Sequence, residues 1–199
     1  MSQEAAKNHL KSNPIMSSLV HTLVLDPLPP SSSLFISLIR SVIYQQLATK
    51  AASAIFQRLI TILSSDPTPV GVLSLTPEAL YAVGVSRSKA RYLFNLASYL
   101  QEHSSIQWPL LSDDEILQRL TSIKGIGPWS AQICLMHYFE RPDVFPATDL
   151  GIQKAMIHLY ELPTSATDLS TTLQKISAPW SPYRTLASFY LWQWKRENL

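Results

Sequence analysis

Cys134 is the only cysteine in 199 residues. A single thiol excludes an intrachain disulfide and any four-cysteine metal or iron–sulfur site supplied by this chain alone. Charge is sparse. Charged residues make up 15%, and 16 Lys and Arg against 14 Asp and Glu leave a formal net charge of +2 at pH 7. The 16 basic residues divide 8 and 8 around Leu111, which excludes a polybasic tail, while the slight positive balance leaves a polyanionic partner open. The five histidines (His9, His21, His103, His137, His158) are scattered, with no helical pair beside a carboxylate, which argues against a side-chain metal site. No apolar run approaches the roughly 20 residues that span a bilayer. The polar opening "MSQEAAKNHLKSNP" is no secretory signal. A reducing, intracellular setting is expected. Glycine is scarce too, at 5 residues, so two glycines placed close together imply a specific backbone need.

What is present is helical periodicity. Apolar residues make up 46% of the chain, too many for disorder at this charge. From Leu34 to Leu63 they recur at three and four: Leu34, Leu38, Ile39, Val42, Ile43, then Ala51, Ala52, Ile55, Leu59, Ile62. "YQQLATK" interrupts the stripe, which predicts two helices with a tight joint and Thr49 as N-cap. Thr76-Pro77 opens a short helix that Gly84 ends. Ser86 caps the next, and Ser112 with Glu115 forms a capping box. Pro128 begins a helix running to about Phe139, another follows Asp149, and Ser181-Pro182 opens the last, to about Lys195. "RPDVFPATD" is an extended connector held out of helix by its prolines. The expected fold is all-α, with about nine or ten short helices.

The two closest glycines lie in "LTSIKGIGPWSAQICLMHYF", which reads as helix, hairpin, helix. Gly125 and Gly127 can take positive φ and bare backbone amides at a helix N-terminus, where unpaired donors and the dipole favour an anion. The pattern serves equally as a tight interhelical turn. Downstream, "DVFPATDLGIQKA" sets Asp149 at a helix start, as an N-cap or as a functional carboxylate.

Together these stretches resemble a known family. A helix-hairpin-helix followed by Pro-x-x-Asp, the ending "PWSPYRTLASFYLWQW", the Gln-Gln joint of "LFISLIRSVIYQQLATKAASAIFQRL" and the core of "VGVSRSKARYLFNLA" occur in consistent order over Leu34 to Trp194. They are similar to the helix-hairpin-helix DNA glycosylase superfamily, of the 3-methyladenine DNA glycosylase II (AlkA) type. The resemblance implies two helical lobes with a DNA-binding cleft between them, in a compact form without the N-terminal β domain. Lobe A would span about 33–139, ending in the helix-hairpin-helix at 113–139, and lobe B about 1–32 plus 140–199.

The resemblance also implies roles. Asp149 matches the catalytic aspartate. Trp129 and Trp192 match tryptophans of the base pocket, with Tyr44 a weaker candidate. Gly125, Gly127, Ser130 and Lys124 fall on the phosphate-binding hairpin. Gln45, Gln46 and Leu47 form the loop that enters the minor groove, with Gln46 ahead of Leu47 as the residue that fills the gap, although Ala48 stands where the family often has serine. Backbone carbonyls of Thr121, Ile123 and Ile126 would hold a monovalent cation (Na or K), with no other cofactor required. Trp129 occupies the slot where bifunctional relatives carry a Schiff-base lysine, so no lyase step is expected.

The implied activity is monofunctional excision of alkylated, cationic purines such as 3-methyladenine, the first step of base excision repair. The implied partner is double-stranded DNA with damaged bases, with no membrane and a monomeric chain. Same-fold glycosylases for deaminated or oxidised bases, and a non-catalytic binder of damaged DNA, are the alternatives. Arg87, Lys89 and Arg91 form a basic cluster, either a solvated helix face or a phosphate contact. Arg184 matches a family position or serves as an ion-pair partner. Cys134, Met136, Trp108, Trp180 and Trp194 are assigned to packing, and His137 and His158 to structural or exposed positions.

Overall fold

The structure, a computed structural model, describes residues 3–25, 33–63, 67–163 and 168–199. The stretch 26–32, where the expected lobe boundary falls, lies outside them. The described residues form twelve α-helices and two short 3-10 turns, with no strand among them. In chain order these are α1 (Gln3–Leu10), α2 (Pro14–Thr22), α3 (Leu34–Tyr44), α4 (Thr49–Ile62), α5 (Pro69–Leu73), α6 (Pro77–Ala82), α7 (Arg87–Glu102), α8 (Asp113–Thr121), α9 (Pro128–His137), α10 (Leu150–Leu159), α11 (Leu169–Ser177) and α12 (Arg184–Asn198). The chain divides into two compact units, one of Met1–Pro29 with Glu140–Leu199 and one of Pro30–Phe139.

In the Pro30–Phe139 unit, α3 is the central helix. Leu38, Ile39, Val42 and Ile43 are wholly buried, and α4, α7 and α9 pack around it. Two small hydroxyls, Ser37 and Ser41, are buried on the same helix, and Ser41 Oγ donates a hydrogen bond to Leu38 O at 2.9 Å. Cys134 is buried in α9, and burial pushes its thiol up to about 12. It is core, as its surroundings predicted, and no nucleophile. In the other unit, Leu10, Met16 and Leu19 of the N-terminal helices pack with Ile152, Met156, Leu173, Trp180, Tyr190 and Leu191. Phe145 meets Trp180 edge-on at 5.7 Å.

Capping chemistry accounts for most helix starts. Asn13, Ser33, Thr68, Thr76, Ser86, Ser112, Asp149 and Asp168 each accept a backbone N–H of the following turn. Several expectations need correction. Thr49 is the first residue of α4 rather than its cap; Ala48 holds that place and offers no side-chain bond. The last helix begins at Arg184, not Ser181, because the Ser181 hydroxyl is spent on Asp143 Oδ2 at 2.8 Å. It runs to Asn198, and α9 stops at His137. Helices outnumber the expectation because α1 is polar, α5 is only five residues long, and neither shows a stripe.

Candidate functional site

The hairpin between α8 and α9 is a tight turn in which Ile126 N–H donates to Ile123 O at 2.9 Å. Gly125 is its third residue, at φ 109, where a positive φ calls for glycine. A Cβ there would also lie 2.2 Å from the Tyr92 ring. Gly127 behaves differently and corrects the paired reading. It is the N-cap of α9 at φ −90 and ψ 174, an ordinary conformation, and among the described residues no atom beyond its immediate chain neighbours lies within 4 Å of where its Cβ would be. The start of α9 has no side-chain cap. Lys124 is exposed, with its carbonyl accepting Asn95 Nδ2 at 3.1 Å, and Ser130 is buried at the first turn of α9.

The α3–α4 loop leans on this hairpin. Gln45 Nε2 donates to Gly125 O at 3.0 Å and to Ser130 Oγ at 2.9 Å. Its amide therefore works inside the chain, whereas Gln46 and Leu47 are exposed at the loop tip. Gln46 adopts φ 55, the left-handed region that L residues avoid. Lys89 is not on a solvated face. Its Nζ donates to Ile43 O at 2.7 Å and Gln45 O at 2.8 Å, supplying cationic donors to the carbonyls that end α3. Arg87 and Arg91 are exposed. Tyr44, half-buried, has the Arg40 guanidinium over its ring at 5.3 Å. Trp129 is half-buried at the second position of α9.

Asp149 is buried, 9% exposed, at the N-cap of α10. Its Oδ1 accepts both the Ile152 backbone N–H and the Trp192 indole N–H, each at 2.8 Å. Trp192 thus orients the carboxylate directly, a role that its assignment to a base pocket did not contain. Gly151 leaves room for this pair. A Cβ there would sit 3.0 Å from Asp149 Oδ1 and 3.2 Å from Trp192 Cδ1. A glycine in the first turn of a helix is a costly choice, and that cost was the available signal in "TDLG".

The connector into Asp149 is pinned to the start of α12. Arg184 binds Asp143 through Nε to Oδ1 at 2.7 Å and Nη2 to Oδ2 at 2.9 Å. Partial burial alone would raise the Asp143 carboxyl; Arg184 and Ser181 more than offset it and hold it below its ordinary value. Thr185 adds bonds to Arg141 O and from Val144 N. Of the two readings for Arg184, the structure places it in an ion pair. Trp180 is buried as packing, and Trp194 lies against His158 at 5.1 Å.

Among the described residues no three His, Cys, Asp or Glu side chains cluster as metal ligands. The carbonyls of Thr121, at the end of α8, and of Ile123 and Ile126, in the hairpin, are neutral oxygen donors, and Ile123 O keeps a second lone pair beyond its bond to Ile126. Such a set fits a hard cation of low charge better than a transition metal.

Residues 39–182 match a single family description that spans the Gln45 loop, the hairpin and Asp149. The chain belongs to the HhH-GPD superfamily of base excision DNA repair proteins. Within the superfamily it is similar to DNA-3-methyladenine glycosylase 1 of Schizosaccharomyces pombe, 38% identical over 164 residues, covering 78% of this chain and 70% of the relative. It is similar also to the DNA-3-methyladenine glycosylase of Saccharomyces cerevisiae, 27% identical over 223 residues, covering 93% of this chain and 75% of the relative. The solved structure of Schizosaccharomyces pombe 3-methyladenine DNA glycosylase (Mag1) in complex with abasic DNA superposes with a TM-score of 0.89. It is 32% identical and covers 96% of this chain and 97% of that one. No described helix is long and apolar enough to cross a membrane.

Proposed function

We propose that this HhH-GPD protein is a monofunctional DNA glycosylase that excises alkylated purines such as 3-methyladenine from duplex DNA. The observation that carries the reading is the buried carboxylate of Asp149, set at a helix N-terminus and aimed by the Trp192 indole N–H at 2.8 Å. A carboxylate so fixed in a protein for a polyanionic substrate is a liability unless positive charge develops beside it.

The reaction supplies that charge. The damaged nucleotide rotates out of the stack, at a cost of a few kcal/mol that falls at weakened pairs. The tip of the α3–α4 loop fills the gap, and Leu47, at 40% exposed an outward apolar side chain, suits a wedge between bases. The hairpin holds a phosphate. Gly127, with open space in place of a side chain, and the uncapped start of α9 support this. A monovalent cation on the Thr121, Ile123 and Ile126 carbonyls would add positive charge to the same grip.

A ring-alkylated purine is cationic, and the Trp129 ring offers it a π-face worth roughly 0.5–2 kcal/mol. The lesion is already a good leaving group. The C1′–N bond breaks with its electron pair going to the base, Asp149 stabilises the charge left on the sugar, and water adds at C1′ with loss of a proton. The products are free base and an abasic site. Trp129 stands in the slot of a Schiff-base lysine, and the Cys134 thiol is buried and protonated, so neither offers a covalent route. The chain would act in the intracellular compartment that holds the genome.

The test incubates the protein with methylated duplex DNA, quantifies released bases by mass, and splits the sample before hot alkali. The expected result is 3-methyladenine released, with strand breaks only after alkali. Breaks without alkali, trapped by borohydride, would overturn the monofunctional assignment, and binding without base release would leave a non-catalytic damage binder.

A further inference from the structure

The α3–α4 loop and the hairpin are joined by side chains that the chemistry above does not use. Gln45 donates Nε2 to Gly125 O at 3.0 Å and to Ser130 Oγ at 2.9 Å. A carbonyl can only accept, so the Gly125 bond fixes which end of the amide faces the hairpin. The backbone of the same residue is held from the other side, by Lys89 Nζ on Gln45 O at 2.8 Å and Ile43 O at 2.7 Å. Burial lowers the Lys89 ammonium from its ordinary value, as expected of a charge turned inward. The same face of α7, three residues on each time, packs Tyr92 on Gly125 and sends Asn95 Nδ2 to Lys124 O at 3.1 Å. At the end of this braced segment Gln46 is kept at φ 55, and a strained conformation persists only where its surroundings over-determine it.

We propose that Gln45, backed by Lys89, is a positioning residue that locks the Gln46–Leu47 tip and the phosphate-binding hairpin into one rigid DNA-reading element. A phosphate seated on the hairpin then sets where the tip enters the duplex. Gln45 touches the hairpin rather than DNA. The catalytic consequence rests on the glycosylase reading; the clasp itself does not.

The experiment compares wild type with Gln45→Ala and, separately, Lys89→Met in the full chain. Single-turnover release of 3-methyladenine is expected to fall about 10- to 100-fold, the scale of a small misplacement. Anisotropy with undamaged duplex should stay within about threefold, since the hairpin amides are intact. Adding Gln45→Ala to a variant carrying both Gln46→Ala and Leu47→Ala should cost almost nothing further, because the side chains being positioned are gone. Undamaged-duplex affinity falling as far as excision would overturn the proposal, as would full additivity with the paired Gln46→Ala and Leu47→Ala change or unchanged excision. Should the wild type release no base, the glycosylase reading fails, and amide hydrogen exchange decides the clasp. Faster exchange in Gln45→Ala at 45–49 and 124–127 together supports it, and unchanged exchange in either segment overturns it.

Discussion

At the residue scale, two glycines two positions apart have different reasons to be glycine. Gly125 is required by its own chain, through φ 109 and the Tyr92 ring. Gly125→Ala should therefore lower stability by about 2 kcal/mol or more in urea unfolding. A Cβ at Gly127 would meet nothing among the described residues beyond its chain neighbours. Gly127→Ala should cost about 1 kcal/mol or less, the difference between two N-cap residues, while duplex affinity falls in a binding titration because the new methyl stands where a phosphate would approach. Equal stability losses in the two variants would refute the distinction. Asp149 separates structure from chemistry in the same way. Asparagine retains an oxygen for the Ile152 and Trp192 N–H groups, so Asp149→Asn should melt near wild type. Its single-turnover excision should fall at least about 100-fold, the scale of a lost electrostatic stabiliser.

At the element scale, α12 grips the connector into Asp149 at two places, through Arg184 and Thr185 at its start and Trp192 two turns on. The Arg184 fork is partly exposed, so Arg184→Leu should cost about 1–2 kcal/mol rather than the larger figure of a buried pair. The folded Asp143 carboxyl lies below its ordinary value of 3.8. Its contribution is therefore complete above pH 3.8 and is lost as pH falls through the lower folded value. Wild type should lose that increment in acid, and Arg184→Leu should lose less of it.

On α9, burial first and the Arg40 charge second push the His137 imidazole down to about 4 from 6.5. The unfolded chain then binds the extra proton between those values. Stability should fall as pH drops from 6.5 to about 4, by about 2–3 kcal/mol given the ring's partial exposure. Denaturant midpoints across that window for wild type and His137→Gln would check it, since the variant should lack the slope.

At the scale of the whole molecule, charge is nearly balanced at net +2. The proposed hairpin grip uses backbone amides, which do not neutralise phosphates as lysines do. Duplex affinity should therefore depend on salt only moderately, with a log–log slope of about −2 to −4. A slope steeper than about −6 would mean that a basic surface, Arg87 and Arg91 included, dominates the contact.

Helix class, most helix starts, the hairpin and the place of Asp149 at a helix start were legible in the sequence, because caps, prolines and apolar spacing act within a few residues. The ends of α9 and α12 and the polar α1 were less so, because tertiary contacts rather than local signals place them. Gln45 read as a DNA contact and Lys89 as one of three surface cations, since a linear pattern does not say which way a side chain turns. Trp192 is 43 residues from Asp149, and Gly151 has meaning only once both are packed against it.

By itself the sequence determined an all-helical chain of the HhH-GPD superfamily and the order of its chemical groups, since periodicity, capping and motif spacing are local properties. Only the tertiary structure decided which groups are joined. It gave Trp192 to the carboxylate, Lys89 to the end of α3 and Gln45 to the hairpin, because a hydrogen bond is fixed by separation and direction in space.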